Sequence, residues 1–200
     1  MAFLRQDIEE KRNKRFVLLT MLPLLVVLLG ATFYHQAGAA FKPDQIKAAY
    51  LYNLPNFVRW QNRHDDGPFV VAIIGSSQIA TYLKLLTKGE TIMGRPIDVR
   101  FFEDFKDLKE AQMVFVSNSV EDAIGPKQIT KMASQGILTV GESLAFLKKG
   151  GMVGLVSNGN RIGIAINDSM AKLADISFNS KILKVAKIYH IEAGEGNLEK

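Results

Sequence analysis

Three short apolar runs constrain this chain more than anything else in it: Phe69-Val70-Val71-Ala72-Ile73-Ile74, Met113-Val114-Phe115-Val116-Ser117 and Ile137-Leu138-Thr139-Val140. A strand with one wet face alternates apolar and polar residues, whereas these runs are nearly continuous. They therefore predict strands buried on both faces, the pattern of a mainly parallel sheet covered by helices. The segments between them fit that reading. Ser76 or Ser77 caps a helix carrying Ile79, Tyr82, Leu83 and Leu86, and after Gly89 and Gly94 the run Ile97 to Phe102 makes the next strand of a βαβ unit. Pro126 opens a helix through Ile129 and Met132 that ends before Gly136, and a short helix follows from Leu144 to Lys148. The expected fold is α/β, one domain of three layers with helices on both faces of the sheet.

Both ends of this alternating core depart from it. Gly150-Gly151 leads into Met152 to Val156, then Asn158-Gly159, then Arg161 to Ile166. Asn-Gly between two strand-like runs predicts a hairpin with both central residues at positive φ, which would give the sheet an antiparallel C-terminal edge. Asn167-Asp168 caps a short helix, and Ser177 or Asn179 caps a last one holding Ile182, Leu183, Val185, Ala186 and Tyr189. Upstream, Pro43 and Asp44 start a helix in which Ile46, Ala49, Tyr50, Asn53, Leu54 and Phe57 recur at three- and four-residue spacing, read as its inner face. Pro55 predicts a kink or break near Leu54, and Trp60 closes the segment.

The N-terminus reads as an address. Lys11-Arg12-Asn13-Lys14-Arg15 precedes an uncharged stretch from Phe16 to Phe33 and a small-residue end, Ala37-Gly38-Ala39-Ala40. This predicts a secretory signal peptide over 1–40, cleaved after Ala39 or Ala40, with an uncleaved membrane anchor as the alternative; both place Phe41 onward outside the cytoplasm. A folded domain over 41–190 and a disordered tail over 191–200 complete the expected organisation. With 48% hydrophobic and 22% charged residues the composition is that of a globular chain. The absence of cysteine excludes disulfides, thiolate metal sites and cysteine nucleophiles. A net charge of +5, part of it in the leader, gives no clustered basic footprint, so no nucleic-acid partner is expected.

No residue set reads as catalytic, cofactor-binding or metal-binding. Gly75-Ser76-Ser77 stands after a strand and before a helix, where open parallel sheets bind ligands, but it lacks a dinucleotide or phosphate-loop glycine pattern. Asp65-Asp66 lacks the further oxygen ligands of a hard-cation site, and His64 and His190 have no zinc spacing. Ser143 has no nucleophile elbow around it and reads as a helix cap. Lys181, Lys184 and Lys187 form a basic stripe on the expected last helix, suited to anionic headgroups or an acidic partner, with a solvated face as the plainer reading.

The ordered set of motifs over about residues 46–187 resembles the YfiR family of small periplasmic proteins. The resembling stretches are Ile46 to Asn53 with Phe57-Val58 and Trp60, Ile73-Ile74-Gly75, Met93-Gly94-Arg95-Pro96-Ile97 and Met113 to Ser117. They continue with Ile137 to Val140, Gly150 to Val156, Arg161 to Asn167 and Ala174 to Ala186. The resemblance implies a non-enzymatic repressor that binds the periplasmic sensor domain of an inner-membrane diguanylate cyclase and lowers cyclic-di-GMP. It further implies relief by an outer-membrane lipoprotein and a homodimeric state. Pro55, Arg59 and Ile164-Ala165 depart from the family pattern, and the cysteines of some members are absent. Tyr50, Tyr52 and Trp60 from the first helix, with Ile176, Phe178, Ile182 and Leu183 near the end, are the expected partner contacts, since they give the matching segments their aromatic and aliphatic content. The competing reading is a periplasmic small-ligand sensor taking a cell-wall fragment near Gly75-Ser76. A periplasmic hydrolase lacks the residues to act.

Overall fold

The computed structural model describes residues 42–61, 66–102, 105–159 and 161–191, which belong to one compact unit. The leader, the tail after Ile191, His64 and Asp65 lie outside the described residues. Helix α1 (Pro43–Asn53) passes through a 3-10 turn (Leu54–Phe57) into the short strand β1 (Val58–Trp60). Then come β2 (Phe69–Ile74), α2 (Gln78–Leu86), β3 (Thr91–Ile92), β4 (Arg95–Phe102), a 3-10 turn (Phe105–Glu110) and β5 (Met113–Val116). The remainder is α3 (Pro126–Ser134), β6 (Leu138–Gly141), α4 (Leu144–Lys148), β7 (Val153–Asn158), β8 (Arg161–Asn167), α5 (Asp168–Leu173), β9 (Ile176–Phe178), α6 (Ser180–Leu183) and β10 (Lys187–Tyr189).

Eight strands form one sheet in the order β10-β8-β7-β6-β5-β2-β4-β3, parallel except at β7–β8 and β3–β4. The mainly parallel α/β fold read from the sequence is the fold observed. β2 is buried along its whole length because its two faces serve two cores. Phe69, Val71 and Ile73 pack with Ala48 and Leu51 of α1, Ile79 and Leu83 of α2 and Ile176 of β9. Val70, Ala72 and Ile74 pack with Ile129 and Met132 of α3 and with Phe146 and Leu147 of α4. Helices thus cover both faces.

Four expectations are corrected. The C-terminal hairpin is antiparallel but is not the edge, because β10 adds in parallel outside β8. Asn158 pairs with Arg161 as the last rung of the ladder, so the turn begins at Gly159 (φ 58°) rather than at Asn158. The last helix stops at Leu183 instead of running to Tyr189. Beyond it Lys187-Ile188-Tyr189 meet the open edge of β8, and a ladder there satisfies more backbone than another turn of exposed helix would. Trp60 lies on a strand rather than a helix: Pro55 ends the regular helix, and β1 pairs antiparallel with β9, with Val58 opposite Phe178 and Trp60 opposite Ile176.

Candidate functional site

Helix α1 is apolar on two sides. Its core side is Lys47, Ala48 and Leu51, followed by Leu54, all buried. The stripe Ile46, Ala49, Tyr50, Asn53, read above as the inner face, instead turns toward a groove. The helix is closed at both ends by its own side chains and held in that rotation from its middle. Pro43 occupies its first turn and the Lys42 N–H donates to Gln45 Oε1 at 2.9 Å. At the other end Asn53 Nδ2 donates back to the Ala49 carbonyl at 2.8 Å. In the middle, Lys47 Nζ lies 2.5 Å from Glu142 Oε2, the two side chains 9% and 11% exposed.

Glu142 belongs to a polar network at the carboxyl ends of β5 and β6. Its Oε1 accepts the Asn118 N–H at 2.8 Å, and its own N–H donates to Glu121 Oε1. The second oxygen of Glu121 accepts the Ser143 hydroxyl at 2.5 Å, while Ser143 Oγ caps α4 by accepting the Phe146 N–H at 3.0 Å. Both carboxylates and the serine are committed to holding backbone, so the network acts as a brace for α1.

The groove holds about 280 Å³ between α1, the hairpin residues Leu155 and Ile164, and a C-terminal bank of Lys181, Ile182 and Val185. Its lining is apolar apart from Asn53, Lys181 and the Tyr50 hydroxyl, which reaches the Ile162 carbonyl at 3.5 Å. On the other side of Ile46 and Ala49 a second apolar hollow of about 410 Å³ is lined by Tyr82, Leu85 and Leu86. Leu85 is 69% exposed and Val185 74%. The two hollows make a band of apolar surface across α1. Apolar hollows of this kind are places that a protein partner, a ligand or a membrane can occupy.

Of the residues read from sequence as contacts, Tyr50 and Ile182 meet in this groove. Tyr52 points elsewhere, its hydroxyl donating to Glu90 Oε2 at 3.2 Å; burial, then this carboxylate, push its pKa up. Trp60 packs edge-on to Phe69 with ring centroids 5.7 Å apart, and its buried Nε1 finds no hydrogen-bond partner among the described residues. Ile176 and Phe178 are buried on β9, and Leu183 is half-buried against the same core. Leu155, Ile164, Leu85, Leu86 and Val185 were not singled out as contacts. Nothing local to an aliphatic residue shows whether it will line a groove or sit wholly in the core.

The carboxyl ends of β2 and β5, where an open parallel sheet offers a ligand crevice, are filled by the chain itself. A Cβ on Gly75 (φ +89°) would lie 2.7 Å from Val120 Cγ2 and 2.9 Å from Ser119 Oγ. The Ser76 carbonyl accepts from Ser117 Oγ at 2.9 Å and from Ser119 Oγ at 3.3 Å. Among the described residues no group of His, Asp or Glu could hold a metal ion, and no helix is long and apolar enough to cross a membrane.

Two solved structures are similar to this chain. One is a conserved domain protein from Vibrio cholerae, with a TM-score of 0.52 and 12% identity over 74% of this chain and 60% of that one. The other is an ABC domain from Streptococcus pneumoniae solved in complex with L-Trp, with a TM-score of 0.49 and 12% identity over the same shares. The chain thus spans about 60% of each, and the first likeness shows the α/β fold alone. No curated protein matches the sequence. Residues 44–187 match the YfiR/HmsC-like family, a stretch that runs from α1 through the groove's C-terminal bank to the start of β10, and the chain belongs to that family.

Proposed function

We propose that this protein is a periplasmic regulatory binding protein that represses an inner-membrane diguanylate cyclase through the cyclase's periplasmic sensor domain, lowering cyclic-di-GMP inside the cell. The observation that carries the reading is the family match, which covers both walls of an apolar groove. A repressor needs a surface to dock, and Glu121, Glu142 and Ser143 hold backbone while Lys47 and Glu142 brace α1, the helix that forms one wall of the groove. An outer-membrane lipoprotein that sequesters the repressor, and a homodimer, belong to the same proposal. Exported character rests on the basic cluster, uncharged stretch and small-residue end of residues 11–40.

The test is the cyclic-di-GMP content of the native cell with the gene deleted and then restored. The expected result is a rise on deletion that restoration reverses. An unchanged level across growth conditions overturns the repressor reading.

A further inference from the structure

Two cations stand near the groove with no carboxylate among the described residues to neutralise them. Lys181 on the single turn of α6 and Lys184, its C-cap residue, are exposed, and neither makes an ion pair with any described residue. Lys187, which the sequence placed on the same stripe, has left it: it sits on β10 with its Nζ 5.2 Å from the Tyr189 ring centroid. Of the remaining pair Lys181 lines the groove and Lys184 directly precedes Val185, which lines it too; no Asp or Glu lines either hollow. An apolar recess with one cationic bank favours an occupant with an apolar centre and a negative flank.

Resting on the reading of this groove as the partner surface, we infer that the docking element is an amphipathic helix from another protein, its apolar stripe seated on Ile46, Ala49 and Ile182 and its carboxylates facing Lys181 and Lys184. The band has the form that takes such a helix, apolar on both sides of the Ile46–Ala49 ridge. A second copy meeting the same face would bring two more lysines and no carboxylate from the lining, so charge opposes self-association there. An anionic bilayer shares the sign of charge but presents a flat headgroup surface to a 280 Å³ recess, whereas the apolar side chains of a helix project into it.

The probes are two synthetic helices with the same leucine stripe, one flanked by glutamates and one by lysines, followed by fluorescence anisotropy against the full chain. The expected result is binding of the glutamate-flanked helix about tenfold tighter than its lysine-flanked twin, weakening as salt is raised. The double variant Lys181→Glu/Lys184→Glu should reverse the preference, with an unchanged circular dichroism spectrum showing that it is folded. Equal binding of the two helices, binding of neither, capture by phosphatidylglycerol vesicles in their place, or concentration-dependent dimerisation abolished by the lysine reversal each overturns the inference. The cell assay is separate. Repression without helix selectivity removes only the acidic docking element, and helix selectivity without a cyclic-di-GMP effect removes the repressor reading.

Discussion

Asn167 holds the end of the described chain with both halves of its amide. Its Oδ1 accepts the Ile191 N–H at 3.2 Å and its Nδ2 donates to the Ile191 carbonyl at 2.8 Å, so a fully buried side chain copies the pattern of a strand residue. The same Oδ1 caps α5 through the Met170 N–H. Asn167→Leu keeps the branched shape and leaves these groups unpaired, so it should cost about 2–3 kcal/mol in urea unfolding and speed amide exchange at Ile191. Gly151 is required for space: a Cβ there would meet the Phe146 ring at 2.2 Å, and Gly151→Ala should cost about 1–3 kcal/mol. Lys47→Met strands the Glu142 carboxylate and should cost about 3 kcal/mol, while Lys47→Met/Glu142→Leu should be more stable than the single variant. A double variant less stable than the single one would show that the ion pair is not what Lys47 supplies. Sequence reading passed over Lys47 because a lysine on a helix is ordinarily wet. Its burial follows from a carboxylate 95 residues away.

At the scale of elements, local chemistry accounts for most of what forms. Ser77, Ser143, Asn167 and Asn179 each cap a helix with a side-chain oxygen, as residues of their type in those positions would. The β3–β4 hairpin is less well matched to its own turn. Ile92 pairs with Arg95, leaving Met93 (φ 53°) and Gly94 (φ 74°) as a two-residue loop with both residues left-handed. Methionine bears a Cβ penalty there that asparagine tolerates better, so Met93→Asn should raise stability by about 0.5–1 kcal/mol by chemical denaturation. The elements misread from sequence are the ones whose state is set by a neighbour. Val58–Trp60 continues a helical pattern until Pro55 intervenes and β9 offers a ladder; Lys187–Tyr189 does so until the edge of β8 is within reach. Spacing within one segment contains neither fact.

For the whole molecule, the band over α1 should be separable from the fold. Val185 is exposed, so Val185→Asp should leave the unfolding free energy within about 0.5 kcal/mol of the native value. The same variant should fail to restore low cyclic-di-GMP in deleted cells; full restoration would remove the groove from the proposed contact. What the sequence determined by itself was the class of the molecule: runs such as Phe69–Ile74 are apolar at every position and so demand cover on both faces, whichever helices provide it. The capped helices and the hairpin followed from residues a few positions apart, because those interactions are local. Tertiary structure decided which apolar face of α1 is core and which is surface. Ile46, Ala49 and Tyr50 have the periodicity of a buried stripe, yet the other side, Lys47, Ala48 and Leu51, took the core, where Glu142 anchors Lys47 from the carboxyl end of β6. It also decided that Tyr50 and Ile182 share a groove while Tyr52 and Trp60 do not, since that juxtaposition depends on where the C-terminal chain returns along β8.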